Sequence, residues 1–166
     1  MTLNNNQLTL LDPSLLINLV NLQTLDLSNN SLTSINPSLF MNLVNLQDLY
    51  LSYNSLTSLD PSLFLNLVNL MTLNLNDNGL TSLYPSLFMN LTNLQYLDLS
   101  HNSLTLISPY VFGNINNNNQ IFIKIENNPV ASSGKSSAYF CDEKSNCVCY
   151  CAYDPNNTQD DYYVEC

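Results

Sequence analysis

The chain has 166 residues, 45% of them hydrophobic, which is enough apolar volume for one ordinary core. Charged residues make up only 10%, and the basic side reduces to Lys124, Lys135 and Lys144 with no Arg, against a net charge of -10. Such a surface excludes the phosphate-neutralising footprint of a nucleic-acid binder and the polybasic patch of a binder of anionic membranes. Its apolar runs are broken by Asn or Ser every few residues, so none approaches the roughly 20 residues of a membrane span and no direct membrane insertion is expected. No basic n-region followed by an apolar h-region is read ahead of the first apolar strings, so a signal peptide is not expected within this sequence.

The elements recur in chain order. MTLNNNQL (Met1 to Leu8), LDLSNNSL (Leu25 to Leu32), LYLSYNSL (Leu49 to Leu56), LNLNDNGL (Leu73 to Leu80) and LDLSHNSL (Leu97 to Leu104) follow one another at steps of 24 residues, and IKIENNPV (Ile123 to Val130) fits after a step of 26. A fixed period in this range is the signature of a solenoid. Within each copy L-x-L alternates in period two, so Leu25 and Leu27 share one face while Asp26 points to the other, which predicts a short strand. One copy cannot bury its apolar side alone. Stacked copies place their strands side by side in a parallel sheet and turn the Leu columns into a continuous core.

The letter that never changes after the strand is Asn: Asn6, Asn30, Asn54, Asn78, Asn102 and Asn128. Where the chain leaves the sheet its backbone groups lose their partners, and an amide carries both donors and an acceptor to replace them. These six are read as a structural ladder.

The return limb runs P-S-L-F-x-N-L-x-N-L with small variations. Pro13, Pro37, Pro61 and Pro109 each follow Asp, Asn or Ser, the order of N-cap and first helical residue, whereas Pro85 follows Tyr84. A short helical or 3₁₀ turn is expected in each copy. Phe40, Leu43 and Leu46, three apart, fall on the inner side, and Leu16, Phe40, Phe64, Phe88 and Phe112 are expected to stack in the core.

The pattern L-x-x-L-x-L-x-x-N-x-L at a 24-residue period resembles the leucine-rich repeat family in its extracellular "typical" form. The resemblance implies an α/β solenoid, a horseshoe with short parallel strands on the concave face and loops or short 3₁₀ turns on the convex face. It covers residues 1–130. It also implies binding of proteins or other macromolecules, mostly on the concave side.

In that frame the outward strand positions form columns that a partner would touch. One column is Thr2, Asp26, Tyr50, Asn74, Asp98 and Lys124; a second is Thr24, Asp48, Thr72, Tyr96 and Phe122; a third, just before the turn Asn, is Asn5, Asn29, Tyr53, Asp77, His101 and Asn127. Tyr among small polar groups is the composition of adaptable recognition surfaces. Asp26, Asp48, Tyr50, Tyr53, Asn74, Asp77, Tyr96, Asp98 and His101 are therefore the candidate ligand-binding residues. His101 falls close to Asp77 and Asp98 in neighbouring columns. With one His, three Gly, and neither G-x-S-x-G nor H-E-x-x-H, the chain offers no catalytic constellation and no cofactor or metal site; an enzyme is not expected.

After Asn128 and Pro129 the composition changes. Residues 131–166 form a cysteine-rich segment with Cys141, Cys147, Cys149, Cys151 and Cys166 as disulfide candidates. It resembles the C-terminal cap of extracellular leucine-rich repeat proteins, which would shield the last coil's core from water. An odd number of Cys leaves one free or bridged to another chain. Asn29, Asn90 and Asn156 open N-x-S/T sequons, so an extracellular glycoprotein is expected. A glycan on Asn29 would sit on the binding face and shield Asp26 and Tyr53; one on Asn90 would sit on the return limb.

Two functions fit. The first is a recognition module that binds a protein or glycan through the concave face. The second is a structural subunit that binds itself, head to tail or through the spare Cys, into a fibre or matrix. Near-identical copies, scarce charge and a first strand that begins at Met1 without a polar cap favour assembly, since an open end exposes strand edge and core together. Variation of Tyr and Asp along the columns favours recognition.

Overall fold

The computed structural model describes residues 1–108, residue 111 and residues 121–130, together with the backbone of two later strands, 137–141 and 147–151. Seven strands form one sheet among the described residues: β1 (Thr24–Asp26), β2 (Asp48–Tyr50), β3 (Thr72–Asn74), β4 (Tyr96–Asp98), β5 (Phe122–Lys124), β6 (Ser137–Cys141) and β7 (Cys147–Cys151). Their order across the sheet is β1-β2-β3-β4-β5-β7-β6. The first five run parallel, and each pair is aligned one whole repeat apart: Leu25 opposite Leu49, Leu49 opposite Leu73, Leu73 opposite Leu97, Leu97 opposite Ile123. Thr2 adds an isolated parallel bridge to Asp26 ahead of β1. The chain is a leucine-rich repeat solenoid.

The inward Leu of β1 to β4 and Ile123 of β5 are buried, and so is the Leu, or Ile125, two residues on. Each such side chain contributes about 1.5–3 kcal/mol by leaving water, and it does so against the coil before and the coil after. The return limb completes the core. Leu16, Phe40, Phe64 and Phe88 occupy equivalent places and are all buried, with the Phe64 and Phe88 rings stacked at 5.9 Å between centroids. Phe112 and Pro109 lie outside the described residues.

Local chemistry explains how each limb turns. Pro13–Leu16 and Pro37–Phe40 are 3₁₀ turns, begun by Asp12 and Asn36, whose side chains accept from the amides of Ser14 and Ser38. Asp60 does the same for Ser62 at 2.8 Å. Tyr84 has no such acceptor, and in its coil Ser86 takes a left-handed backbone with φ of 64°. The copies that start at Pro61 and Pro85 form hydrogen-bonded turns in place of a 3₁₀ segment.

The turn Asn binds the coils to one another. Asn54 Oδ1 accepts from Leu32 N at 3.0 Å, and its Nδ2 donates to the carbonyls of Leu27, Leu51 and Ser52 at 3.1, 3.1 and 3.2 Å. Asn30, Asn78, Asn102 and Asn128 repeat this with the coil before them; Asn102 and Asn128 are buried, the others partly so. Asn6 is exposed and donates only to Leu3 and Asn4 within its own coil.

Candidate functional site: the outer face of the sheet

The strands turn two columns outward. Thr24, Asp48, Thr72, Tyr96 and Phe122 form one; Asp26, Tyr50, Asn74, Asp98 and Lys124 form the other. The residues just before the turn Asn form a third.

Much of the second column serves the backbone. Asp26 Oδ1 accepts from both Ser28 N and Ser28 Oγ, and Asp98 Oδ1 does the same from Ser100. Asn74 Oδ1 accepts from Asn76 N at 3.0 Å. These are Asx turns that fasten the chain as it leaves the strand. Asp98 also accepts from the Tyr96 hydroxyl at 3.0 Å and is only 5% exposed. The sequence frame counts Asp98 among the outward ligand-binding positions; in the structure both of its carboxylate oxygens accept hydrogen bonds from within the chain and the residue is buried. Tyr50 and Lys124 are the exceptions in the column, since neither a phenol nor an ammonium supplies the Asx acceptor.

The third column is under a different constraint. Asn5, Asn29, Tyr53, Asp77, His101 and Asn127 all have positive φ, between 50° and 56°. Asn, Asp and His are the side chains that tolerate the left-handed region best, so five of the six identities follow from the backbone. Tyr53 does not. A bulky residue there costs roughly 1–2 kcal/mol, and Tyr53 is 53% exposed, so no burial compensates the cost. Beside it, Asn76 Nδ2 donates to Asp77 Oδ2 at 3.1 Å, while Asn76 Oδ1 is buried with no hydrogen-bond donor. The exceptions Tyr50 and Tyr53 belong to one coil.

The remaining candidates form small groups. Asp48 accepts from Thr24 Oγ1 at 3.2 Å and is half-buried on its strand. Tyr96 and Phe122 stack at 5.8 Å, and Lys124 Nζ stands about 6 Å from both ring centroids. His101 pairs through Nε2 with Asn127 at 2.9 Å rather than with Asp77 or Asp98. The phenols feel the acidic surroundings. Tyr50 is pushed up by burial and then by Asp48 and Asp26, Tyr53 by the Asp77 carboxylate, and Tyr96 by burial and then Asp98. Asn29 is exposed, and Asn90 donates to Leu65 O at 3.0 Å; Asn156 and Cys166 lie outside the described residues, as do the side chains of the other four Cys.

Sequence reasoning missed a role for the return limb's own amides. Asn42, Asn66 and Asn90 donate to the carbonyls of Ile17, Met41 and Leu65, and Asn45, Asn69 and Asn93 to those of Val20, Val44 and Val68, each one coil back. The signal was present as the N-L-x-N string in four successive copies, from Asn18 to Asn93. Just before the first of these amides in each copy, Ile17, Met41, Leu65 and Met89 are exposed in a row.

With this geometry the comparisons agree. The family described as "Leucine rich repeat" matches residues 1–56, 21–70, 45–104 and 68–124, and the chain belongs to it. Among solved structures, the Leptospira interrogans leucine-rich repeat protein LIC12759 superposes with a TM-score of 0.66 at 31% identity, over 76% of this chain and 30% of that one. The leucine-rich repeat domain of APL1B superposes with a TM-score of 0.68 at 26% identity, over 77% of this chain and 36% of that one. The chain thus spans about a third of the length of the proteins it matches. No curated protein matches it. Domains of this family are protein-interaction scaffolds, generally without catalytic activity.

The electrostatic coupling is directly measurable. Asp77→Asn is expected to lower the Tyr53 pKa toward the ordinary value of about 10, read from the ring-carbon chemical shifts of Tyr53 during an alkaline titration. An unchanged Tyr53 titration would show that Asp77 does not set its environment.

Proposed function

We propose that this chain is an extracellular, non-enzymatic recognition module that holds a protein partner against the outer face of its sheet, at Tyr50 and Tyr53. The observation that carries this reading is the coil containing both. Asp26, Asn74 and Asp98 in the second column, and every residue but Tyr53 in the third, suit a backbone need, whereas this coil places an aromatic ring at both positions, where the backbone gains nothing. A cost kept without a structural return marks a functional position. Tyr is also the side chain that supplies most contact area for least lost rotamer freedom.

The test is capture of partners on immobilised protein. Tyr50→Ser, Tyr53→Asn and Asp77→Asn together are expected to reduce bound partner at least about tenfold while circular dichroism stays as in the parent and thermal unfolding comes no earlier. Retention of the partner by this folded triple variant would move the site off the sheet face.

The extracellular part of the reading is supported by the clustering of all five Cys in the last 26 residues and by the three sequons. The β6–β7 register adds to it, setting Cys141 opposite Cys147. Directly opposed residues on antiparallel strands have Cα atoms about 4.5–5.5 Å apart, inside the range that a disulfide spans. Alkylation of the unfolded chain without reductant should leave Cys141 and Cys147 unlabelled and label them after reduction. Full labelling before reduction would contradict the bridge and weaken the extracellular assignment.

A further inference from the structure

We infer that the partner segment seated on this face is cationic and carries arginine, with Tyr53 as the ring on which a guanidinium stacks; the inference rests on the sheet-face reading above and specifies its ligand. The argument begins with charge. Asp26, Asp48, Asp77 and Asp98 surround Tyr50 and Tyr53 in the adjacent positions of β1 to β4 and the turns that follow. Among the described residues the one lysine on the face is Lys124, on β5, held beside the Tyr96 and Phe122 rings. The whole chain has three Lys, no Arg and a net charge of -10. A partner that brought carboxylates to this face would meet like charge with nothing to offset it, while a basic one is attracted before contact.

The committed hydrogen bonds narrow the choice further. Asp98 has spent both oxygens internally, and Asp26 accepts from Ser28 and from Asn4 at 2.9 Å. Asp48 retains acceptor capacity, with Thr24 as its single side-chain donor, and Asp77 keeps part of its own beside Asn76 and the Tyr53 hydroxyl. They flank the two rings. An aromatic face beside a carboxylate with free lone pairs is the arrangement a guanidinium fits, since its plane stacks on the ring while its fork reaches the oxygens. An ammonium has no plane to stack, so lysine is the poorer occupant. The left-handed backbone at Tyr53 projects that ring from a column otherwise filled by Asn, Asp and His.

Fluorescence anisotropy with labelled oligo-arginine and oligo-lysine peptides of equal length tests this on the full chain. Oligo-arginine is expected to bind the wild type at least about fivefold more tightly than oligo-lysine. Tyr53→Asn should weaken it about tenfold and yet unfold at the same or a higher temperature, because Asn suits a positive φ. Asp48→Asn with Asp77→Asn should flatten the salt dependence of binding. Asp12→Asn with Asp60→Asn removes the same charge from the return limb and keeps each turn capped, as Asn36 does naturally, and it should leave binding unchanged. The inference is overturned if oligo-arginine fails to bind the wild type, if Tyr53→Asn binds as well, or if the return-limb variant weakens binding as much as the sheet variant. It is also overturned if Tyr53→Asn loses binding and thermal stability together, which would make Tyr53 structural. If oligo-arginine fails while partner capture still depends on Tyr50, Tyr53 and Asp77, the sheet-face site stands and only the cationic partner falls.

Discussion

Everything in this structure depends on an amide that one coil lends to the coil before it. Where each strand ends the chain must leave the sheet, and its amides and carbonyls lose the neighbours that a longer ladder would supply. Asn102 shows the solution: Oδ1 accepts from Leu80 N at 2.9 Å, and Nδ2 reaches Leu75 O, Leu99 O and Ser100 O. Leaving such buried groups unpaired costs about 1–3 kcal/mol each. Because donor and acceptor come from different coils, the corner of one copy is complete only when its neighbour is in place. The buried Leu columns obey the same rule, since each side chain packs across the boundary between copies. Return-limb amides such as Asn66 and Asn69 tie the outer side in the same coil-to-coil sense.

That corner decides how much of the outer face is free to evolve a function. To bring the Asn inward, the residue before it adopts a left-handed backbone in every coil, and the residue three places before that often supplies an Asx turn. Variation along the face is consequently of two kinds. Asp26, Asn74 and Asp98, or Asn29, Asp77 and His101, differ from one another yet each suits a backbone need. Tyr50 and Tyr53 suit neither, and they stand in a single coil with Asp48 two residues before Tyr50 on the same strand. The face is thus a scaffold of constrained polar residues with aromatic area at Tyr50 and Tyr53 of one coil and at the Tyr96–Phe122 stack of two others.

The architecture was legible because it is repeated. A 24-residue step, L-x-L alternation and a fixed Asn in six copies leave few folds that satisfy all three, and the register of Leu25, Leu49, Leu73 and Leu97 follows directly. What the sequence concealed lies in the backbone between the letters. Nothing in the string Ser-Tyr-Asn announces a positive φ at Tyr53, and nothing in Leu-Asp-Leu-Ser distinguishes an outward Asp from one such as Asp98, whose oxygens turn back onto Ser100 and Tyr96. Both depend on dihedral angles set by the coil-to-coil hydrogen bonds. The return-limb Asn were visible as letters, but their partners lie 25 residues away, and only the stacked structure shows which carbonyls they reach.

Amide hydrogen exchange under native conditions reaches this dependence most directly. The amides of Leu32, Leu56 and Leu80 lie outside the strands, and each donates to the turn Asn of the next coil. If coils stand only by completing one another, these amides should open with free energies within about 1 kcal/mol of those of the strand residues Leu49, Leu73 and Leu97. Exchange as fast as that of an unprotected loop, with the strand amides still protected, would show that the turn Asn merely decorates a sheet that holds itself together.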